Sequence, residues 1–176
     1  MPHHTLSCPR MSVLLCCLVC FFALPVLAEE CVEYESLSPL TAMTSTPGAA
    51  HSVAVTGDYL LVADGTAGLQ VYSIASPSNP TLVAGVALPG IARDVVMTGN
   101  LALLAADGLQ VVDITEPTAP TLVGALDVGD VVSGLEVVNG LVYLYGAYTD
   151  CALGSCDLHI VDISDPAAPV LLSTLV

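Results

Sequence analysis

Residues 108–117, GLQVVDITEP, decide the fold, because the same pattern occurs twice more in the chain. It is found upstream as GLQVYSI at 68–74 and downstream as DLHIVDISDP at 157–166. Pro-Thr-Leu-Val also recurs after 40 residues, at 80–83 and 120–123. Self-similarity at a fixed period of about 40 residues is typical of repeat architectures. The sequence therefore predicts three copies of one structural unit.

Each copy contains short apolar runs separated by turn signals, and no helical period lies between them. The tight-turn dipeptides that separate the first two runs of each copy are Gly57-Asp58, Gly99-Asn100 and Asn139-Gly140. In the second copy they predict four strands, at about 94–97, 101–105, 109–114 and 121–126. Middle strands such as 59–62 and 141–144 are apolar at consecutive positions, which predicts that both faces of each sheet are covered.

Four-stranded units with two covered faces are what radially packed propeller blades require. Residues 108–117 and 158–166 resemble the LVIVD repeat, which is named for its Leu-Val-Ile-Val-Asp strand and found in exported bacterial and archaeal proteins of propeller type. The resemblance covers about residues 38–176. The first copy departs from the pattern, since Ser73 stands where the other copies have Asp113 and Asp162.

The expected fold is all-β: a β-propeller-like array of four-stranded antiparallel blades, at about 49–89, 90–130 and 131–176. An extra N-terminal outer strand is expected from residue 38, because SPLTA at 38–42 aligns with NPTLV at 79–83. Closed propellers have about four to eight blades, so three blades predict an open arc or a fragment. An oligomer assembled from arcs, by self-association of a complete chain, is the alternative.

Residues 1–28 have the composition of a secretory signal peptide. Arg10 precedes an uncharged run at 11–28 that ends in Val-Leu-Ala, so cleavage is expected after Ala28, leaving a lead-in at 29–37. An uncleaved membrane anchor is the alternative, because a run of this length is at the short end of what spans a bilayer. The sequence thus predicts an exported protein that is secreted, periplasmic or held at the cell surface.

The formal net charge is −15, with 17 acidic residues and two basic ones, Arg10 and Arg93. A nucleic acid is therefore excluded as the expected partner, since its phosphates would be repelled. The acidity is expected to serve solubility.

Cys151 and Cys156 lie in an insertion between the second and third strands of the third copy. In an exported chain they predict a disulfide across a small loop, while Cys31 is left over. A metal site formed by Cys151, Cys156 and His159 is the alternative, but it lacks a fourth ligand at recognisable spacing. Asp150 and Asp157 beside the insertion are expected to hold calcium only weakly. We predict no cofactor and no dedicated metal site.

Aligned positions at the start of the innermost strand provide a candidate ligand site. His51, Arg93 and Ser133 are equivalent, and Asp94 follows Arg93. In propellers this position lines the mouth of the central channel, where convergent polar groups predict a pocket. The alternative is structural: these residues satisfy turn backbones, and Arg93 pairs with Asp94 or another carboxylate.

Asp113 and Asp162 recur at one position before a Pro-containing turn, which predicts a structural role in accepting backbone N–H bonds. No nucleophile elbow, paired-histidine motif or phosphate loop is present. These features favour an exported, non-enzymatic binding or scaffold module that engages a protein or glycan. Membrane contact is expected only if the N-terminal segment is uncleaved. The alternative is part of a propeller hydrolase or lyase whose channel mouth carries His51, Arg93 and Asp94.

Overall fold

The computed structural model describes residues 44–146 and 157–175, all within the compact unit Pro39–Val176. In these ranges the chain forms three antiparallel four-stranded sheets and no helix. The described part accordingly has no helix long and apolar enough to cross a membrane. The signal peptide predicted at 1–28 and the stretch at 38–42, on which the predicted extra outer strand is based, lie outside the described residues.

Each sheet is formed by four strands in chain order. The first sheet contains β1 (Ser52–Thr56), β2 (Tyr59–Ala63), β3 (Leu69–Ser73) and β4 (Thr81–Val86). The second contains β5 (Asp94–Thr98), β6 (Leu101–Ala106), β7 (Gly108–Asp113) and β8 (Thr121–Leu126). The third contains β9 (Gly134–Val138), β10 (Leu141–Tyr145), β11 (Leu158–Asp162) and β12 (Val170–Leu175). The predicted all-β, propeller-like fold is confirmed, and the strands predicted in the second copy are right to within one residue.

The first hairpin of every sheet turns at the predicted dipeptide. Gly57 and Gly99 have positive φ angles of 54° and 56°. In the third sheet both turn residues do, Asn139 at 52° and Gly140 at 79°. Positive φ at both central residues is what a type I′ turn requires, so the third hairpin meets this requirement, whereas in the first two only the glycine has positive φ. Local turn chemistry therefore sets the register of each hairpin.

The outer pair of each sheet contains an irregularity at the same place. The register shifts between Val71 and Tyr72, between Val111 and Val112, and between Ile160 and Val161. In the first two sheets the residue skipped in the outer strand is the valine of Pro-Thr-Leu-Val, Val83 or Val123. A β-bulge leaves one residue unpaired and increases the local twist. The repeated motif therefore marks a bent outer strand.

The second sheet is packed on both faces. Leu103 and Val111 face the third sheet in one apolar cluster, whereas Leu104 and Val112 face the first sheet in another. The sheets approach each other most closely through their inner strands, β1, β5 and β9. The predicted two-sided burial is thus confirmed for β6.

The same prediction is wrong for β10, in which burial alternates. Val142 and Leu144 are buried against the second sheet, but Tyr143 on the opposite face is only partly buried and Tyr145 is exposed. Among the described residues no fourth sheet covers that opposite face.

Asp113 and Asp162 cap the turns that follow β7 and β11, as predicted. Asp113 Oδ1 accepts hydrogen bonds from the Thr115 N–H and hydroxyl, both at 2.7 Å. Asp162 Oδ1 accepts the equivalent bonds from Ser164, at 2.7 and 2.6 Å. These bonds lower the pKa of both carboxyls because they favour the charged form. The bonds from the hydroxyls have the larger effect on the pKa and those from the backbone N–H groups the smaller one.

We predict that the double variant Asp113→Asn, Asp162→Asn is less stable than the wild type at neutral pH and that this difference shrinks in acid. A lowered folded-state pKa stabilises the fold above the unfolded pKa, about 3.9 for Asp, and that contribution disappears as the pH falls below this value and through the folded-state pKa. The measurement is the urea midpoint as a function of pH. Asp58→Asn, in an exposed hairpin turn, is the control. A stability difference that is the same at pH 7 and pH 3 would contradict the prediction.

Candidate functional site

His51, Arg93 and Ser133 occupy equivalent places in the structure, immediately before the three inner strands. Their N–H groups donate to the carbonyl oxygens of Ala63, Ala105 and Tyr145, at 2.8, 2.9 and 2.8 Å. The side chain of His51 is exposed, and those of Arg93 and Ser133 are partly buried. Their equivalence follows from the hairpin geometry of the repeat, whereas a common ligand at these side chains stays a prediction.

Asp94 connects the second sheet to the third. Its Oδ2 atom accepts the N–H of Leu135 at 3.0 Å, and Oδ1 accepts the N–H of Val95 at 2.9 Å. Leu135 is only 1% exposed, so this carboxylate satisfies a donor that water cannot reach. These bonds favour the structural interpretation of Asp94. Arg93 does not pair with Asp94, and the described residues contain no carboxylate within salt-bridge distance of its guanidinium.

An acidic recess of about 460 Å³ is lined by Asp107, Asp127, Gly129, Asp130 and Val131. Asp127 Oδ1 accepts the Gly129 N–H at 2.8 Å, and Asp130 Oδ1 accepts the Val131 N–H at 2.8 Å. Two of the three carboxylates therefore also shape the connection between β8 and β9. In the described ranges no three acidic, histidine or cysteine side chains are grouped so as to hold a metal ion. The recess is thus a region of negative charge.

One polar position recurs inside the sheets, in the third strand of each copy. Gln70, Gln110 and His159 occupy it, and all three are buried. Gln70 Nε2 donates to the Ala67 carbonyl at 2.7 Å. His159 Nδ1 lies 3.1 Å from Thr174 Oγ1, and its Nε2 lies 3.9 Å from Asp130 Oδ2. His159 thus contacts the outer strand and the β8–β9 connection.

Cys151, Cys156 and Asp150 lie outside the described residues, so the disulfide and its metal alternative are untested.

The face of the third sheet that turns away from the second carries a group of side chains that sequence reasoning missed. Tyr145 stands opposite Gly134 and Leu158, and its ring lies where a side chain on residue 134 would be. Tyr143 stands opposite Glu136 and Ile160. We call this surface the tyrosine face, and its members are Glu136, Tyr143, Tyr145, Leu158 and Ile160.

The equivalent positions in the other two sheets are aliphatic. Leu61 and Leu103 stand where the third sheet has Tyr143, and both are completely buried by the next sheet. Ala54 and Val96 stand where the third sheet has Glu136, which is exposed. Tyr145 is 46% exposed. This departure from the repeat is visible in the sequence, but its meaning depends on knowing which face each strand residue occupies.

We predict that Asp94→Ala lowers the free energy of unfolding by about 1–3 kcal/mol, because the buried N–H of Leu135 loses its acceptor. Asp94→Asn retains a side-chain oxygen and should lose less. Urea denaturation of the two variants and the wild type measures the difference. Equal stability of Asp94→Ala and the wild type would contradict the structural role and return Asp94 to the ligand-site hypothesis.

Solved structures share this architecture at low sequence identity. A functionally unknown protein from Desulfotomaculum acetoxidans DSM 771 is similar with a TM-score of 0.61 and 12% identity, over 73% of this chain and 43% of its own. The computationally designed Ika4 protein has a TM-score of 0.59 and 13% identity, over 78% and 79% of the two chains. The β-propeller domain of Cps50 (Swd1) from Myceliophteria thermophila has a TM-score of 0.53 and 16% identity, over 72% and 43%.

The chain therefore spans less than half the length of the first and third of these proteins. At such identities the likeness shows the propeller-like fold alone.

No curated protein matches the sequence of the chain. The model of the LVIVD repeat, however, matches it at three consecutive stretches, residues 47–87, 89–128 and 140–175. Together these stretches cover more than half of the 176 residues, and each coincides with most or all of the strands of one sheet. The chain belongs to the LVIVD-repeat family.

Proposed function

We propose that this chain is a non-enzymatic binding module that acts outside the cytoplasm and engages a protein partner through the tyrosine face. The observation that carries the proposal is the replacement of buried or partly buried aliphatic residues in the first two sheets by exposed or partly buried Tyr143, Tyr145 and Glu136 in the third. The composition of residues 1–28 supports the location, since it is typical of a secretory signal.

Tyrosine suits a protein interface because its ring adds a large apolar area while its hydroxyl still bonds water or a partner. Leu158 and Ile160, which are half-buried, continue the apolar surface across β11. The backbone beneath is a regular sheet with paired strands, so these side chains are held on a rigid support. A rigid aromatic surface loses little conformational entropy on binding.

We predict that Tyr145→Ser removes binding while leaving the fold intact, because this ring is one of the exposed anchors of the face. The purified wild type and the variant are tested against arrays of glycans and of labelled peptides from cell-surface proteins. The measurement is how much peptide and how much glycan each protein retains. Peptide retention should fall roughly tenfold or more in Tyr145→Ser, as expected for the loss of an aromatic anchor. Leu122→Ser, a change at a 41% exposed residue of β8, is the matched control and should bind as the wild type does.

Circular dichroism and thermal unfolding establish that both variants are folded. Peptide retention that is equal in the wild type and Tyr145→Ser would overturn the proposal. Retention of glycans but of no peptide would assign the face to a carbohydrate ligand instead.

A further inference from the structure

Glu136 lies within the tyrosine face. It is exposed on β9, directly opposite Tyr143 in the antiparallel register. The neighbouring pair on the same side is Tyr145 with Gly134, so one tyrosine lies opposite the carboxylate and the next lies one step along the face. No side chain of the described residues forms a salt bridge with Glu136. The face therefore combines two aromatic rings with one negative charge.

The chain has no arginine or lysine among its described residues that neutralises this charge. Its two basic residues are Arg10 and Arg93, it contains no lysine, and Arg93 precedes β5 of the second sheet. A wholly apolar partner that covered the face would leave the Glu136 carboxylate buried and unpaired, which is strongly unfavourable. A partner that covers Glu136 must therefore supply N–H donors to this carboxylate, and a cationic group supplies both the donors and the opposite charge.

The surroundings of the face add to this requirement. The Ser133 N–H donates to the Tyr145 carbonyl at 2.8 Å, so the end of β10 adjoins the connection that carries Asp127 and Asp130. The formal charge of the whole chain is −15. Such a field attracts a cationic partner and repels a second copy of the same chain.

We infer that the tyrosine face binds a protein segment in which arginine or lysine accompanies aliphatic residues. The cationic group pairs with Glu136 and lies over the ring of Tyr143 or Tyr145, a cation–π arrangement. The aliphatic side chains pack on Leu158 and Ile160. Arginine is favoured over lysine because its planar guanidinium both stacks on a ring and bonds a carboxylate through two N–H groups. This inference rests on the proposed function and specifies its partner.

The test uses a fluorescently labelled peptide that alternates leucine with arginine, and matched peptides in which glutamine or glutamate replaces arginine. Affinities for the full chain are measured by fluorescence anisotropy at near-physiological salt, where distant charges are screened. We expect the arginine peptide to bind the wild type more tightly than either matched peptide. Glu136→Gln should weaken its binding roughly tenfold or more, as for loss of a desolvated charge partner.

Glu116→Gln, which removes the same charge from an exposed turn, is the control for general attraction between an acidic protein and a cationic peptide. It should change the affinity by less than about twofold, as exposed charges do. Tyr145→Phe should bind as the wild type does, because the ring is kept, whereas Tyr145→Ser should bind as weakly as Glu136→Gln.

Equal effects of Glu136→Gln and Glu116→Gln would overturn the inference, since they would show general electrostatic attraction only. A molecular mass that rises with protein concentration, and no longer does so in Tyr145→Ser, would also overturn it by assigning the face to a second copy. If Tyr145→Ser abolishes retention on the arrays while the arginine peptide binds no better than the glutamine peptide, the cationic partner is wrong but the binding function stands. If neither the array measurement nor the peptide affinities give the expected result, both the cationic partner and the proposed binding function are wrong.

Discussion

The packing of the second sheet between the other two is the interaction on which the rest of the structure depends. Leu103, Ala105, Leu109 and Val111 cover one of its faces, and Ala102, Leu104 and Val112 cover the other, all of them completely buried. A single four-stranded sheet buries too little apolar area to be stable by itself, so each repeat needs a neighbour. Small and branched side chains allow these sheets to approach closely through their inner strands. The carboxylate of Asp94 adds a polar link between the second and third sheets.

The same packing explains where side chains are available for binding. In the first two sheets the face that holds Leu61 or Leu103 is covered by the next sheet. In the third sheet the equivalent face carries Tyr143, Tyr145 and Glu136, which would be costly to bury against another aliphatic sheet. The repeat therefore supplies the support, and one altered copy carries the tyrosine face. The acidic recess beside it, formed where the β8–β9 connection passes Asp107, extends the negative charge toward that copy.

Much of the fold was predictable because the signals that specify it are local. Turn dipeptides set hairpin registers within a few residues, and the recurring Asp113 and Asp162 accept bonds from residues two positions ahead. The candidate site was less predictable. Sequence reasoning grouped His51, Arg93, Asp94 and Ser133 from their equal positions in the repeat, and the structure shows that the backbone of three of them and the carboxylate of Asp94 hold strands in place. The tyrosine face was missed because apolar runs such as 141–144 read the same whether one or both faces of a strand are covered.

The sequence by itself determined the three copies, their four strands, the hairpin turns and the excess of negative charge, since each of these depends on neighbouring residues or on composition. Only the tertiary structure decided which face of β10 stays accessible and which carboxylate is already engaged. Tyr145 and Glu136 stand out because no sheet formed by the described residues covers their face. Asp94 acquires its role from Leu135, 41 residues along the chain in the next sheet. Contacts between sheets join residues that no local pattern relates, and such contacts decide what is buried and what remains free to bind.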